Sequence, residues 1–299
     1  MKIKCVVIII VILVLTGPLQ GTAGEKELVQ KERIAQLMQR FWELKRGAWK
    51  ELANDIREIG EPLVELLMKR LRYTDTTGWS ARKIEWEQRR IAWALGEIRT
   101  GQAIACLIDM LEDKTLHVYG RYEAAMVLGR VNSKKAIEPL IAVFRDEGAP
   151  DPPRYAAAYA LGRIKAEQAV ASLTAALNDE NGRIRGGAIY ALGKIGSPAA
   201  VAGLKTAVND PENYLREQVY KHLIQLCPGK KIDYIKMAFT DKYWPVRTAA
   251  AKELAAAGET VAGFLIEKMK DEDKDIRREA ALTLGKIKSE KAVPALAAA

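Results

Sequence analysis

Apolar residues recur along this chain with the spacing of one face of an α-helix. In the clearest example, Ala188, Ile189, Leu192 and Ile195 follow Arg185 by three, four, seven and ten residues. Residues at these spacings share one side of a helix with 3.6 residues per turn. A short polar turn and a second apolar stretch follow, so the pattern predicts a helical hairpin.

The same hairpin pattern returns about every 31 residues. Each copy begins with an arginine, and a leucine follows it by seven residues. The arginines are Arg121, Arg154, Arg185, Arg216, Arg247 and Arg277, and the leucines are Leu128, Leu161, Leu192, Leu223, Leu254 and Leu284. A period in this range is typical of stacked units, which bury together the apolar faces that one hairpin leaves open. The sequence therefore predicts an all-α solenoid of stacked helical hairpins.

A glycine also recurs eight residues after the arginine position. Glycine inside a helix costs about 1 kcal/mol relative to alanine, so its recurrence predicts close approach of a neighbouring helix. The glycines are Gly96, Gly129, Gly162, Gly193 and Gly285. The copies that begin at Arg216 and Arg247 carry Ile224 and Ala255 instead, and we expect a less regular stack there.

The N-terminus has the pattern of a secretory signal peptide. Lys2 and Lys4 precede an uninterrupted apolar run, Cys5 to Leu15. As a helix this run would span ~16 Å, about half of the hydrocarbon core of a bilayer. We therefore predict that residues 1–23 are a signal peptide and that the protein is exported, to the periplasm or the exterior. An uncleaved N-terminal anchor is the alternative; after cleavage no transmembrane segment is predicted in the mature chain.

The remaining residues are predicted to form one repeat array. Residues 24–48 are expected to be an N-terminal capping helix. Residues 49–299 are expected to be the solenoid, with about eight hairpins, the last one incomplete. The first hairpin is predicted from Trp49 to Leu71, and the longest irregular insertion from Thr74 to Ser80.

The charge of the chain permits a nucleic-acid partner but does not favour one. The formal charge is +9, and it falls to +7 when Lys2 and Lys4 leave with the signal peptide. Acidic residues are interspersed throughout, which would weaken a phosphate-binding stripe. Cys106 and Cys227 lie about four repeats apart, too far to pair within the chain.

The repeat resembles the HEAT-like repeats named after phycobilisome lyases. Such units read approximately as an aspartate, a spacer, Val or Ile before Arg, two alanines, Ala-Leu-Gly, then Ala-Val and spaced leucines. Asp179 to Leu204 and Asp271 to Leu296 are close to this pattern, and the pairs before the alanines are Ile184-Arg185, Val246-Arg247 and Ile276-Arg277. The resemblance covers roughly Trp49 to Ala299. It implies a helical solenoid that usually serves as a protein-binding scaffold, with enzymes or nucleic-acid binders in a few lineages.

We call the six repeated arginines the arginine ladder. At 100° per residue, each lies about 30° from the mean direction of the apolar face and should point toward the edge of the core. An aspartate precedes four of them by six residues, in the turn between repeats: Asp179, Asp210, Asp241 and Asp271. The planar fork of arginine suits two-bond pairing with a carboxylate. We predict Asp–Arg pairs that hold the turns in register; an anion-binding stripe is the alternative.

A second set of positions, which we call the outward column, is predicted on the solvent-facing side of the first helices. Its members lie five and nine residues after the arginine position. They are Trp93, Met126, Tyr159, Tyr190, Lys221, Lys252 and Leu282 at five, and Arg130, Arg163, Lys194 and Lys286 at nine. The candidate contact residues among them are Trp93, Met126, Tyr159, Tyr190, Arg130, Arg163 and Lys194. Exposed large side chains beside basic ones are typical of protein interfaces. The alternative is that the large side chains pack under a neighbouring helix and the basic ones complement helix C-termini.

Trp79 is a further candidate contact residue. It lies in the irregular insertion, directly before Ser80, a predicted helix N-cap. From there it either reaches a ligand or folds back over the first hairpin.

Catalytic chemistry has little support in the sequence. The two histidines, His117 and His222, lie more than three repeats apart, and neither is followed by glutamate. Deoxyhypusine hydroxylases, which resemble this repeat class, need His-Glu pairs for two irons. We find no Cys-x-x-Cys and no phosphate-binding glycine loop. No catalytic residue, metal site or cofactor is therefore predicted.

These observations predict an exported, non-enzymatic scaffold that binds an unidentified protein partner along its surface. Two alternatives stay open. One is a chromophore-lyase-like or other enzyme role, which rests on analogy with the repeat family alone. The other is nucleic-acid binding through a basic surface.

Overall fold

The computed structural model describes residues 22–43, 51–73 and 75–297, with side chains from Val29 onward. Most of the predicted signal peptide, the end of the predicted capping segment and Trp49 lie outside the described residues. All regular structure within the described ranges is helical, which confirms the all-α solenoid. The chain forms two compact units, residues 1–164 and 165–299.

The first unit contains eight described helices joined by short turns. They are α1 (Thr22–Glu43), α2 (Ala53–Ile59), α3 (Pro62–Tyr73), α4 (Ala81–Ile98), α5 (Gly101–Glu112), α6 (Val118–Arg130), α7 (Ile137–Arg145) and α8 (Asp151–Ile164). The pair α2 and α3 forms the hairpin predicted upstream of the repeats. Helix α4 begins where Ser80 accepts a hydrogen bond from the backbone N–H of Lys83, as its predicted N-cap role requires.

The second unit continues the alternation of first and second helices. Its helices are α9 (Val170–Ala175), α10 (Gly182–Ile195), α11 (Pro198–Thr206), α12 (Asn213–Leu226), α13 (Lys231–Phe239), α14 (Trp244–Ala257), α15 (Ala262–Lys268), α16 (Lys274–Ile287) and α17 (Val293–Ala297). Short 3₁₀ turns precede several second helices, such as Pro228–Lys230 before α13. Gly196 ends α10 with a positive φ of 68°, a conformation that glycine adopts without steric cost.

The repeated leucines form the centre of each unit. All six, from Leu128 to Leu284, are fully buried. Burial of a leucine side chain stabilises a fold by roughly 1.5–3 kcal/mol. Small residues on the same helices, such as Ala124, Ala157 and Ala188, are also fully buried and let the helices approach closely. The helical spacing in the sequence therefore identifies the core correctly.

The repeated glycines mark close helix packing at three positions that the structure describes. A Cβ atom on Gly96 would overlap Val127, and one on Gly193 would overlap the ring of His222. At Gly129 it would lie 2.7 Å from the Cα of Ala160. Gly285 is an exception, because nothing lies within 4 Å of the corresponding point. The prediction of close approach is confirmed at Gly96, Gly129 and Gly193 and is wrong at Gly285.

Among the described helices, none combines the length and the hydrophobicity that crossing a bilayer requires.

Candidate binding surfaces

Two arginines of the ladder form buried pairs with the aspartate of the following turn. Arg185 donates to Asp210 from Nε at 2.8 Å and from Nη2 at 3.2 Å. Arg216 donates to Asp241 from the same two atoms, at 2.7 and 2.8 Å. Each aspartate lies 25 residues after its arginine. The pairs therefore join one repeat to the next, and each arginine uses the Nε and Nη2 side of its planar fork.

The third nitrogen of the fork binds the turn that precedes the same helix. Nη1 donates to the backbone carbonyl of the residue six positions earlier, which is Asp179 for Arg185 and Asp210 for Arg216. The aspartate side chains in turn accept from the backbone N–H two residues on, as at Asp241 with Tyr243. These contacts give the Asp-x₅-Arg spacing a structural role: the aspartate shapes the turn and the arginine ties it to the helix.

The arginines of the ladder in the first unit, and the last arginine of the ladder, make different contacts from those of Arg185 and Arg216. Arg121 donates from Nε to the carbonyl of Leu111 at 2.9 Å, and Arg154 donates to that of Phe144 at 3.3 Å. Both arginines are buried. Arg277 is exposed and bonds to the backbone carbonyls of its own preceding turn. An uninterrupted, solvent-facing anion stripe does not match this arrangement, since most of the ladder is buried.

The outward column is not uniformly solvent-facing. Trp93 is only 5% exposed, so the prediction that it faces solvent is wrong. The reason is α1: Phe41 stacks on Trp93, with ring centroids 6.4 Å apart. Arg90 extends this packing by donating to the carbonyl of Phe41 at 3.0 Å. The repeat pattern contains no signal for this cover, because α1 stands outside the repeats.

The other members of the column are half-buried or exposed. Met126, Tyr159 and Tyr190 are half-buried, and the basic residues Arg130, Arg163 and Lys194 are exposed. Arg130 pairs with Glu97 at 3.3 Å in the first unit. In the second unit the Nζ of Lys194 lies 5.6 Å from the centre of the Tyr190 ring. In this repeat the side chains at five and nine residues thus lie together, as their shared helix face predicts.

Trp79 folds back onto the first hairpin. Its ring lies 3.6 Å from the Nζ of Lys83 and 5.7 Å from the guanidinium carbon of Arg70 on α3. It is half-buried. Of the two alternatives for Trp79, the structure therefore shows the one in which its ring packs over the first hairpin.

An apolar groove opens between the first helices α12 and α14. Its volume is about 450 Å³. The floor consists of buried side chains, chiefly Tyr220, Ile235 and Val246. Ile224 lines the α12 wall, at the position where most other repeats have glycine. Helices α12 and α14 lack the close approach that α10 makes to α12 and α14 makes to α16 in the same unit.

Charged side chains surround the apolar floor. Glu217 pairs with Lys221 on α12 at 3.0 Å, and Lys231 pairs with Glu253 across the groove end at 3.1 Å. Lys252 adds a further exposed cation. An apolar centre within a polar rim is the usual composition of a protein-binding surface. This groove was missed as a site in the sequence, although the change from glycine to Ile224 was its visible signal.

The described residues include two histidines and two cysteines. His117 begins α6, where its Nδ1 accepts from the backbone N–H of Tyr119. His222 lies on α12, and burial is the first cause that lowers its pKa, followed by Lys194 and Lys221. Cys106 and Cys227 are half-buried free thiols. Within the described ranges, no group of three or more His, Cys, Asp or Glu side chains is arranged to hold a metal ion.

Comparison with known families identifies the repeat. Residues 85–151, 148–224 and 233–299 match the family model for HEAT repeats. The chain belongs to the HEAT-repeat family. The second and third HEAT matches leave out residues 225–232, and Gln225 and Lys231 from this interval line the groove. The groove therefore borders the interval between these two matches.

The chain is also similar, at low sequence identity, to several solved structures. Human deoxyhypusine hydroxylase in complex with glycerol is 19% identical, with a TM-score of 0.36, and the match covers 88% of this chain and 98% of the other. The complex of CpcE and CpcF of phycocyanin lyase from Nostoc sp. PCC7120 is 20% identical, with a TM-score of 0.46 and coverage of 78% and 92%. An engineered protein is 19% identical, with a TM-score of 0.41 and coverage of 89% and 81%. No curated protein matches this sequence.

Proposed function

We propose that this HEAT-repeat chain is a non-enzymatic scaffold that binds a polypeptide partner in the groove between α12 and α14. The observation that carries the proposal is the groove itself: a buried apolar floor inside a rim of exposed charges. Apolar side chains of a partner would be removed from water on this floor. The rim charges would fix the orientation of the partner.

The rigidity of the groove supports this proposal. Its walls are two helices whose inner faces are anchored in the core by Leu223 and Leu254, both fully buried. A preformed surface loses little conformational entropy when it binds, so more of the contact energy appears as affinity. The buried Arg216–Asp241 pair fixes the turn before α14 and so contributes to the position of that wall.

A photo-crosslinking experiment separates the groove from the rest of the same helix. Ala249 and Ala256 are both exposed alanines of α14, but only Ala249 lines the groove. A photoreactive amino acid would be placed at each position in the segment 24–299, and the protein would be exposed to the proteins of its own host. We expect a defined polypeptide adduct from position 249 and none from position 256. Equal labelling at the two positions, or no polypeptide adduct at 249, would contradict the proposal.

The volume of the groove also falls in the range of small-molecule pockets, about 300–1,000 Å³. The crosslinking experiment distinguishes the two occupants by mass. An adduct of a few hundred daltons, in place of a polypeptide, would contradict the scaffold and indicate a small-molecule binding protein.

We also propose that the scaffold acts outside the cytoplasm. The support is the sequence of residues 1–23, with its basic start and its apolar run from Cys5 to Leu15. The intact mass of the protein isolated from its host tests this proposal. A mass that corresponds to a start at Gly24 is expected, and a full-length chain in the cytosolic fraction would contradict it.

A further inference from the structure

The arginine ladder of the second unit contains one buried arginine whose fork is only partly used. Arg185 and Arg216 each place Nε and Nη2 on an aspartate. The side chain of Arg247 is equally buried, at 7% exposure. Its Nη1 donates to the carbonyl of Asp241 at 2.8 Å, as in the other repeats. Within the described residues, however, Nε and Nη2 of Arg247 make no hydrogen bond to a carboxylate.

The expected partner of Arg247 is engaged elsewhere. Asp271 occupies the corresponding turn, but it accepts from Lys268 at 2.9 Å and from the backbone N–H of Asp273 at 3.1 Å. It follows Arg247 by 24 residues, whereas the two pairing aspartates follow their arginines by 25. The nearest carboxylate is Asp275, 3.9 Å from Nη2, which is beyond hydrogen-bond distance.

Arg247 lines an open pocket between α14 and α16. The pocket has a volume of about 380 Å³. Two large apolar side chains line it and are unusually exposed: Trp244 at 65% and Leu282 at 48%. A buried guanidinium whose nearest carboxylate lies beyond hydrogen-bond distance is thus next to two apolar side chains that are about half to two-thirds exposed.

We propose that this pocket binds an acidic polypeptide segment through one Asp or Glu side chain. The carboxylate takes the position at Nε and Nη2 of Arg247 that Asp210 and Asp241 take at the two preceding arginines. An apolar neighbour in the same segment packs on Trp244 and Leu282. The site lies on a different face of α14 from the groove at Ala249, and it does not depend on the groove being occupied.

The other charges of the pocket set the selectivity of the site. Arg278 adds a second cation, and Asp275 and Glu279 are two anions, so the lining has no net charge. General attraction of anions therefore contributes little, and binding depends on the two parallel hydrogen bonds of the fork. Lysine has the same charge but no planar fork, so we expect that Arg247→Lys does not retain binding.

Binding can be followed at the arginine itself by NMR on the full chain labelled with ¹⁵N-arginine. The probes are the dipeptides N-acetyl-Asp-Leu-amide and N-acetyl-Asn-Leu-amide, which differ only in the carboxylate. We expect a saturable shift of the Arg247 Nε–H signal with the Asp probe and none with the Asn probe. The Arg247→Lys variant identifies the signal by its absence, and the exposed Arg277 serves as an internal reference that does not shift.

A second variant tests the competing carboxylate. Asp275→Asn removes the anion nearest to Nη2, and we expect the Asp probe to bind about two- to fivefold more tightly, as for a partly exposed ion pair. The proposal is overturned if the Arg247 signal does not move with the Asp probe, or if the Asp and Asn probes shift it equally. It is also overturned if Asp275→Asn abolishes the response.

Discussion

Arg216 and Asp241 form a two-bond ion pair that is almost completely withdrawn from solvent. The side chains are 4% and 2% exposed, and the two N–O distances are 2.7 and 2.8 Å. Burial alone would raise the pKa of Asp241, but the hydrogen bonds from Arg216 and from the N–H of Tyr243 outweigh it and lower the pKa. The carboxylate is therefore ionised in the folded protein, and each partner compensates the desolvation of the other.

Removal of the carboxylate should destabilise the second unit strongly. In Asp241→Ala the buried Arg216 loses its partner, and we expect the free energy of unfolding to fall by about 3–5 kcal/mol. Urea unfolding measures the change. Asp271→Ala is the matched control, because Asp271 occupies the same place in the next turn but pairs with the partly exposed Lys268 instead of a buried arginine. We expect a loss of about 1 kcal/mol or less there; equal losses in the two variants would contradict the structural role of the ladder.

Two repeated glycines should respond to alanine in opposite directions. In Gly129→Ala the new Cβ meets the backbone of Ala160 at 2.7 Å, and we expect a loss of about 1–3 kcal/mol. In Gly285→Ala the space is open, and alanine should stabilise α16 by up to about 1 kcal/mol through its higher helix propensity. Thermal unfolding of both variants gives the signs. A stabilised Gly129→Ala would show that the helices do not approach as closely as described.

His222 should make the stability of the second unit depend on pH. Its ring covers Gly193, and burial first, then Lys194 and Lys221, lower its pKa. A lowered pKa means that the unfolded chain binds the proton more readily. The neutral His222 side chain therefore makes its full contribution to the free energy of unfolding above about pH 6.5, the pKa of histidine in the unfolded chain. This contribution is lost as the pH falls toward the lower pKa of the folded state.

The test compares the wild type with His222→Gln by urea unfolding at pH 7.5 and pH 5.5. Both values lie above the range in which ordinary carboxylates titrate. We expect the wild type to lose more stability than the variant between these two pH values. An identical pH dependence in the two proteins would show that His222 is not the group responsible.

Much of the fold could be predicted because it repeats. The leucine at seven residues identifies the buried positions from Leu128 onward. The glycine at eight identifies close packing at Gly96, Gly129 and Gly193, but not at Gly285. The partner of each arginine was less accessible: the spacing showed that Asp241 precedes Arg247, but only the packing of successive turns shows that it binds Arg216. The open fork of Arg247 follows from a difference of one residue in spacing, whose consequence cannot be judged without the geometry.

The binding surface was harder to predict than the fold. Trp93 is buried because Phe41, outside the repeats, covers it, and no periodic pattern contains that information. The groove lies beside Ile224, a position where this repeat differs from the others. The sequence shows this difference but does not show the distance between α12 and α14. Repetition thus predicts what the repeats have in common, whereas the candidate sites lie where individual repeats differ.

The most direct test of the scaffold is a comparison of two single-residue baits. The mature segment 24–299 would be immobilised as Ala249→Arg and as Ala256→Arg, and both would be compared with the unmodified segment for retention of host polypeptides. An arginine at 249 places a charge over the apolar floor, whereas one at 256 adds the same charge to the same helix outside the groove. We predict at least a tenfold loss of a specific polypeptide with Ala249→Arg and full retention with Ala256→Arg, as for loss of a central contact worth about 1.4 kcal/mol. Equal retention by the two baits would contradict binding in the groove.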